Sequence, residues 1–319
     1  MKVEQALEKR RLGSTGIDVT ALCVGTSPLA GMAGLYGYDV DERRAIDTVL
    51  AVLDSAITFI DTSNGYGEDG TAERRVGAAI RERGGLPDGV VLATKVDPDP
   101  VTGDFSGERV LASYAESLDR LGVDRVPLLY LHDPERISFE EGVAPDGPLR
   151  ALVRLRDEGA VDYIGVAGGP VGLLEEYLDT GLLDVLLSHN RYTLLDRSAQ
   201  PLYEKAHARG IGVVNAAPYG GGMLAKGPEV QQRYAYGQGD DTAVASAAAM
   251  QRVCESHGIP LAAAALQFSL RAPFIDSTVV GLSSAQRIAQ TLDYAAIDIP
   301  DELWAELDSL TVPHELWLN

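Results

Sequence analysis

Ile57-Thr58-Phe59-Ile60-Asp61-Thr62-Ser63-Asn64-Gly65-Tyr66-Gly67 decides how this chain of 319 residues is read. An apolar run stops on a carboxylate, and a tyrosine between two glycines follows at once. Ionisable groups are costly in a core, so a buried strand that ends on one presents it at an edge where chemistry can happen. The next two apolar runs do the same. Gly89-Val90-Val91-Leu92-Ala93-Thr94 ends at Lys95, and Val126-Pro127-Leu128-Leu129-Tyr130-Leu131 ends at His132. Three successive strands therefore finish on Asp61, Lys95 and His132, with Tyr66 in the first loop. In a parallel α/β barrel the C-terminal strand ends carry the active site.

Outward from this stretch, strand and helix alternate. The N-terminal side, Arg11 to Val24, reads as a hairpin turning at Leu12-Gly13-Ser14-Thr15-Gly16-Ile17, with an apolar strand from Val19 to Gly25. Gly31 to Tyr38 reads as a glycine-rich loop over a strand end. Asp41 is placed to cap a helix running to about residue 55. Strands at 57–61, 90–95, 126–132, 162–166, 183–188 and 211–215 each lead to a helix. The last does so through Gly220-Gly221-Gly222 and an excursion over 226–241. A further strand, 277–280, precedes a helix at 284–294, and a last helix spans 300–310. Counted from the strand ending at Gly25, there are eight strands. Short continuous apolar runs suit parallel strands covered on both faces. Eight such units predict a (β/α)8 TIM barrel, with the N-terminal β-hairpin capping the barrel floor and residues 1–319 forming one domain. A doubly wound sheet is the alternative, and the lack of a GxGxxG turn after any strand weakens it.

Composition restricts the function. The content of 45% hydrophobic and 23% charged residues is that of a soluble globular protein. A formal net charge of −20 disfavours nucleic acid and anionic membrane as partners. Two distant cysteines, Cys23 and Cys254, fit a reducing compartment. Met1 to Arg11 is polar and charged, unlike a secretory signal, so a cytoplasmic location is expected. No apolar run nears the ~20 residues of a membrane helix. Monomer and small homo-oligomer both remain open.

The four residues make chemical sense together. A tyrosine hydroxyl is a weak acid with a free value of about 10, and a nearby ammonium lowers it. A carboxylate keeps the lysine charged and in place, and a histidine can bind a carbonyl oxygen or relay a proton. None is a hydride source, so redox work requires a nicotinamide cofactor. Taken singly each has a plainer explanation: Asp61 as a cap, Tyr66 as loop packing, Lys95 as surface and His132 as a turn residue. Their shared position at adjacent strand ends argues for a set.

The runs Phe59 to Gly67, Thr94-Lys95 and Tyr130-Leu131-His132, with Leu12-Gly13-Ser14-Thr15-Gly16 and Arg150 to Gly165, resemble the aldo-keto reductases over nearly the whole chain. The resemblance implies an NAD(P)-dependent enzyme acting on a small-molecule carbonyl or sugar, using NADP(H) or NAD(H). Asp61, Tyr66, Lys95 and His132 would be its catalytic tetrad, with Tyr66 as general acid/base. It further implies cofactor contacts at Thr26, Ser188, His189, Tyr219, Gly220, Gly281, Ser283, Ser284 and Arg287. Gly220 to Leu224 and Lys226 resemble the loop that folds over the pyrophosphate. Met32, Tyr36 and Asp133 are candidates for the substrate side.

Departures from the pattern stand out. Ala167-Gly168 replaces the usual Ser-Asn that holds the carboxamide, His189 stands at the usual Gln, and Ala216 at the stacking aromatic, for which Tyr219 could substitute. Gly281 stands where the family has a lysine, leaving Arg287 as the cation near that loop in sequence. Arg191-Tyr192-Thr193-Leu194-Leu195 and Pro218 to Leu224 resemble the branch that oxidises aldose lactols, such as the L-fucose and D-threo-aldose dehydrogenases. A nicotinamide-binding regulatory subunit of the same fold is the alternative function. A metal-dependent barrel hydrolase is a third, and the five histidines show neither HxH nor HExxH spacing, so no metal is expected.

Overall fold

The computed structural model describes residues 6–237, 240–310, 312 and 317–318. Two stretches read above, Met1 to Gln5 and residues 238–239 of the long excursion, lie outside the described residues. Chain order begins with β1 (Lys9–Arg11), β2 (Asp18–Thr20) and β3 (Leu22–Gly25), followed by α1 (Glu42–Leu53) and β4 (Phe59–Asp61). Then come α2 (Thr71–Arg83), β5 (Val91–Val96), α3 (Gly107–Leu121), β6 (Leu128–His132) and α4 (Pro148–Asp157). The second half contains β7 (Tyr163–Gly168), α5 (Val171–Asp179), β8 (Val185–His189), α6 (Gln200–Ala208) and β9 (Gly212–Ala216). It ends with α7 (Asp241–Ser256), α8 (Leu261–Leu270), β10 (Ser277–Gly281), α9 (Gln286–Ala296) and α10 (Asp301–Ser309).

Strands β3 to β10 form a closed parallel barrel in the order β10-β3-β4-β5-β6-β7-β8-β9. The alternation of side chains along a strand sorts the residues into two cores. Ile60, Leu92, Leu129 and Leu131 face the helices, in the large cluster that also holds Val76, Val110 and Leu152. Phe59, Ala93, Leu128 and Tyr130 face inward, with Cys23, Leu187, Val214 and Val279. Continuing that inward parity upward gives Asp61, Lys95 and His132. The pleat and the register therefore deliver the three ionisable groups to the top of the barrel interior.

One expected strand divides in two. The run from Val19 to Gly25 breaks at Ala21, so that 18–20 pairs antiparallel with 9–11 while 22–25 enters the barrel between β10 and β4. The break lets one stretch serve two sheets. Leu12 and Val19 of the hairpin fill the interior cluster from below. Asp276 accepts from Gly13 N (3.1 Å) and Val213 N (2.9 Å), fastening the turn to the barrel. Among the described residues no helix is long and apolar enough to cross a membrane.

Candidate active site

Lys95 is buried, at 1% exposure, and its ammonium is spoken for on three sides. It donates to Asp61 Oδ1 (2.5 Å), to the Thr62 carbonyl (2.8 Å) and to the Tyr66 hydroxyl (3.1 Å). The second carboxylate oxygen of Asp61 is buried without a partner. A buried ion pair of this kind is costly to desolvate and is held by the barrel rather than holding it. The loop that follows β4 folds Tyr66 back over the pair. Its ring lies edge-on to His132, with centroids 5.4 Å apart.

The protonation of this set departs from the sequence expectation in one respect. Lys95 was expected to lower the tyrosine. Burial pushes the Tyr66 phenol well above its ordinary value, and the Asp61 carboxylate adds to the rise. The ammonium that faces the phenol is paired with Asp61, so at rest its pull is offset by the carboxylate beside it. For His132, burial opposes the charge, but Asp133 and Asp97, the latter through a hydrogen bond, outweigh it and raise the imidazole above its usual value. Burial likewise works against the Asp133 carboxylate, and His132, His189 and Arg136 reverse this, holding it well below the carboxylate range.

Asp97 was missed in the sequence. It is buried at the end of β5 and takes His132 Nδ1 on Oδ1 at 2.7 Å. The signal was present: 93, 95 and 97 share the inward parity. A second omission is Arg44 of α1, which lines the cavity near Tyr38, Ser283 and Arg287. Its distance along the chain hid it.

The cavity above the tetrad has a volume of about 640 Å³ and reaches from Met32, Tyr36 and Asp133 to Ser283 and Arg287. Of the expected residues, Asp61, Tyr66, Lys95, His132, Met32, Tyr36, Asp133, His189, Tyr219, Gly281, Ser283 and Arg287 line it. Thr26, Ser188, Gly220 and Ser284 are not brought to its wall. Thr26 Oγ1 instead donates to the Asp61 carbonyl at 3.1 Å, and Ser188 is fully buried beside the Gly169 carbonyl. Gly220, at φ 56°, packs against Tyr234, whose ring occupies the space a Cβ would need.

The donor set suits a dinucleotide. Ala285 sits at the N-cap of α9 with no side-chain cap hydrogen bond, and Ser283 and Ser284 stand just before it. Arg44, Lys226 and Arg287 line the same cavity, and among the described residues Arg44 and Arg287 make no ion pair. Gly222, at φ 97°, leaves open space where a side chain would stand. At the other end Ala167, His189, Ala216 and Tyr219 border the floor. Asn190 Nδ2 lies 3.2 Å from His189 Nδ1, which makes that nitrogen the acceptor and turns Nε2–H toward Asp133, 3.9 Å away. The fold also gathers Asp133, Glu135 and His189, whose donor atoms lie within 4.8 Å of one another, a cluster that no sequence spacing announced. One Glu135 oxygen there already accepts from Gly169 N at 3.2 Å.

A family model for the Aldo/keto reductase family matches residues 21–312, and the chain belongs to that family. It is accordingly an oxidoreductase that interconverts a carbonyl and its reduced form with a nicotinamide cofactor. The chain is 33% identical to D-threo-aldose 1-dehydrogenase of a Pseudomonas species, over 92% of this chain and 94% of that one. It is 32% identical to L-galactose dehydrogenase of Arabidopsis thaliana, over 96% and 95%. Pyridoxal 4-dehydrogenase of Microbacterium luteolum is 31% identical, over 96% and 98%. Among solved structures, the holo form of an aldo-keto reductase from Bacillus halodurans superposes with a TM-score of 0.76. It covers 96% of this chain and 97% of its own at 24% identity, which speaks to the shared fold.

Proposed function

We propose that the chain is an aldose 1-dehydrogenase-like enzyme, acting as one barrel domain, that oxidises the hydroxyl of a sugar lactol to give the lactone and, in the reducing direction, takes an aldehyde to its alcohol. The observation that carries this reading is the Lys95 ammonium bridging Asp61 and the Tyr66 hydroxyl at the inner end of a cavity that runs on to Arg287. In it Tyr66 exchanges the proton with the substrate oxygen, and Lys95 stabilises the phenolate as it forms. Asp61 holds Lys95, and His132 Nε2 meets the substrate oxygen. A nicotinamide, when bound, would supply or accept the hydride. Ser283, Arg287, Arg44 and Lys226 would hold its phosphates, and His189 and Tyr219 would border its ring.

Asp133 and the His189 Nε2–H offer an acceptor and a donor to sugar hydroxyls, while Tyr36, Tyr38 and Tyr236 form an aromatic wall beside them. That wall also suits a pyridine ring, so pyridoxal belongs in the substrate panel. Two free, buried thiols, Cys23 and Cys254, fit a cytoplasmic enzyme.

The test is the Tyr66→Phe variant with NAD and NADP on L-fucose, L-galactose, D-threo-aldoses and pyridoxal. Cofactor binding, read by quenching of protein fluorescence, should stay near wild type while turnover falls by orders of magnitude. Because the phenol is raised in the free protein, wild-type oxidation should speed up as pH rises, whereas reduction should not. Near-normal turnover by the variant would sink the assignment.

A further inference from the structure

The loop that carries Tyr66 and the strand that ends at His132 meet on one carboxylate. Asp97 is buried, with 3% exposure, and every face of it is engaged. Oδ1 receives His132 Nδ1 at 2.7 Å. Oδ2 accepts from the Ser63 hydroxyl at 2.5 Å and from Gly65 N at 2.7 Å. The Asp97 N–H donates to Ser113 Oγ (3.1 Å), and Arg109 Nε donates to its carbonyl (3.3 Å), so the backbone is pinned as well. The approach of the loop is close. A Cβ on Gly65 would lie 2.6 Å from the Asp97 carboxylate carbon, so residue 65 must be glycine for the loop to close there.

The geometry points to Asp97 as a positioning residue for the reaction: it fixes the Nδ1–H tautomer of His132, aims Nε2 into the cavity, and ties that imidazole to the loop bearing Tyr66. This role deepens the function proposed above and rests on it. A carboxylate that accepts on both oxygens at once leaves Nδ1 no option but to donate. A histidine so held presents one nitrogen to the substrate, and its orientation costs nothing at the moment of reaction.

The charges around the ring support the same role. Facing His132 are Asp97 and Lys95 from β5, Tyr66 from the β4 loop, and Asp133 next to it in the chain. His189 and Arg136 stand behind Asp133, with His189 Nε2 3.9 Å and Arg136 Nη2 3.2 Å from its carboxylate. His132 Nε2 lies 3.6 Å from Asp133 Oδ1. The imidazole sits between two carboxylates and keeps its proton to a higher pH than a free histidine, despite burial and Lys95. In that state Nε2–H can donate to a carbonyl oxygen.

Asp97→Asn is the informative change, because an amide cannot accept on both sides. Either its NH2 faces the Gly65 N–H and the Ser63 hydroxyl, or it faces His132 and forces the tautomer over. The experiment uses 4-nitrobenzaldehyde with NADPH across pH 5.5–9 on wild type, Asp97→Asn, His132→Gln and the double variant. NADPH affinity is measured by fluorescence quench, and the 15N shifts of the His132 ring by NMR. Asp97→Asn should lower kcat/KM by about ten- to a hundredfold, less than the roughly 10²–10⁴-fold an acid–base group itself contributes, because Asp97 acts through His132, and leave NADPH affinity unchanged. The limb on which reduction falls with rising pH should move to lower pH. In the His132→Gln background the same change should cost nothing more.

Equal losses with and without His132 would overturn the proposal, as would an Nε2–H tautomer in the wild-type ring. Should Asp97→Asn fail to fold, the wild-type ring shifts decide the matter alone. Should the wild type not reduce the aldehyde, the proposed function falls, while the NMR still reports separately on Asp97.

Discussion

Lys95 and Asp61 show how a single residue can be expensive and still required. Both are buried, and the pair is surrounded by apolar barrel side chains. Lys95→Met should abolish turnover and also destabilise the protein by about 3–5 kcal/mol, since it leaves Asp61 charged and alone. Asp61→Asn/Lys95→Met should recover most of that stability and none of the activity. Urea unfolding of the single and double variants reads the difference, and additive losses would mean that the two side chains do not act as a pair. Asp61, Lys95 and His132 stood out as candidates in the sequence because they end apolar runs, where an ionisable side chain is out of place, and Tyr66 because it stands between two glycines in the loop that follows. Asp97 did not, because it stands past the strand end at Lys95, among Val96-Asp97-Pro98-Asp99, where an acid gives no sign of burial. Thr26 and Ser188 were legible as strand-end hydroxyls but not as buried ones, since burial depends on neighbours from other strands.

At the scale of elements, the eight apolar runs announced the barrel, and the helices between them appear within a few residues of expectation. The boundaries that moved did so for local reasons. The run Val19 to Gly25 is continuous in hydrophobicity, yet it turns between two sheets, and periodicity carries no sign of that. Helix contacts were equally invisible. Gly77, mid-way along α2, has no special backbone angle, but a Cβ there would lie 2.0 Å from the Arg120 carbonyl oxygen and 2.9 Å from Leu121 Cα of α3. Alanine is favoured over glycine in a helix by ~1 kcal/mol. Overpacking costs about 1–3 kcal/mol, and backbone cannot swing aside as a side chain can. Gly77→Ala should therefore destabilise by about 1–2 kcal/mol, seen as a lower urea midpoint with an unchanged slope. A midpoint that rises would show that α2 and α3 part without cost.

On the scale of the whole molecule, an acidic surface must admit an anionic cofactor. The chain carries a formal net charge of −20, yet Arg44, Lys226 and Arg287 line one cavity. A charge-assisted hydrogen bond to a 2′-phosphate contributes roughly 1.5–3 kcal/mol, about ten- to a hundredfold in affinity. Arg44→Ala and Arg287→Ala should each weaken NADPH by about that factor and leave NADH nearly unchanged, and added salt should narrow the gap between the two cofactors. Titration of both cofactors into both variants measures this. Equal losses for NADH and NADPH would place these arginines on the shared part of the cofactor. Arg44 could be found only in three dimensions, because the fold brings residues of α1 and α9, far apart in sequence, to the wall of one cavity.

The hairpin that plugs the barrel from below has a kinetic corollary. With Leu12 and Val19 closing the floor, the tetrad is reached from the opposite end, through the mouth where Arg44, Lys226, Arg287 and the tyrosine wall also stand. Two ligands that share one doorway form a queue. If the larger extends to the innermost residues, it has to enter first and leave last, and the smaller one then waits outside or is shut in. Steady-state patterns should show compulsory order, with the oxidised and reduced dinucleotides competing for the empty enzyme. Isotope trapping should capture labelled cofactor, but not labelled sugar, from a binary complex. Random entry would mean that the vessel has a second opening.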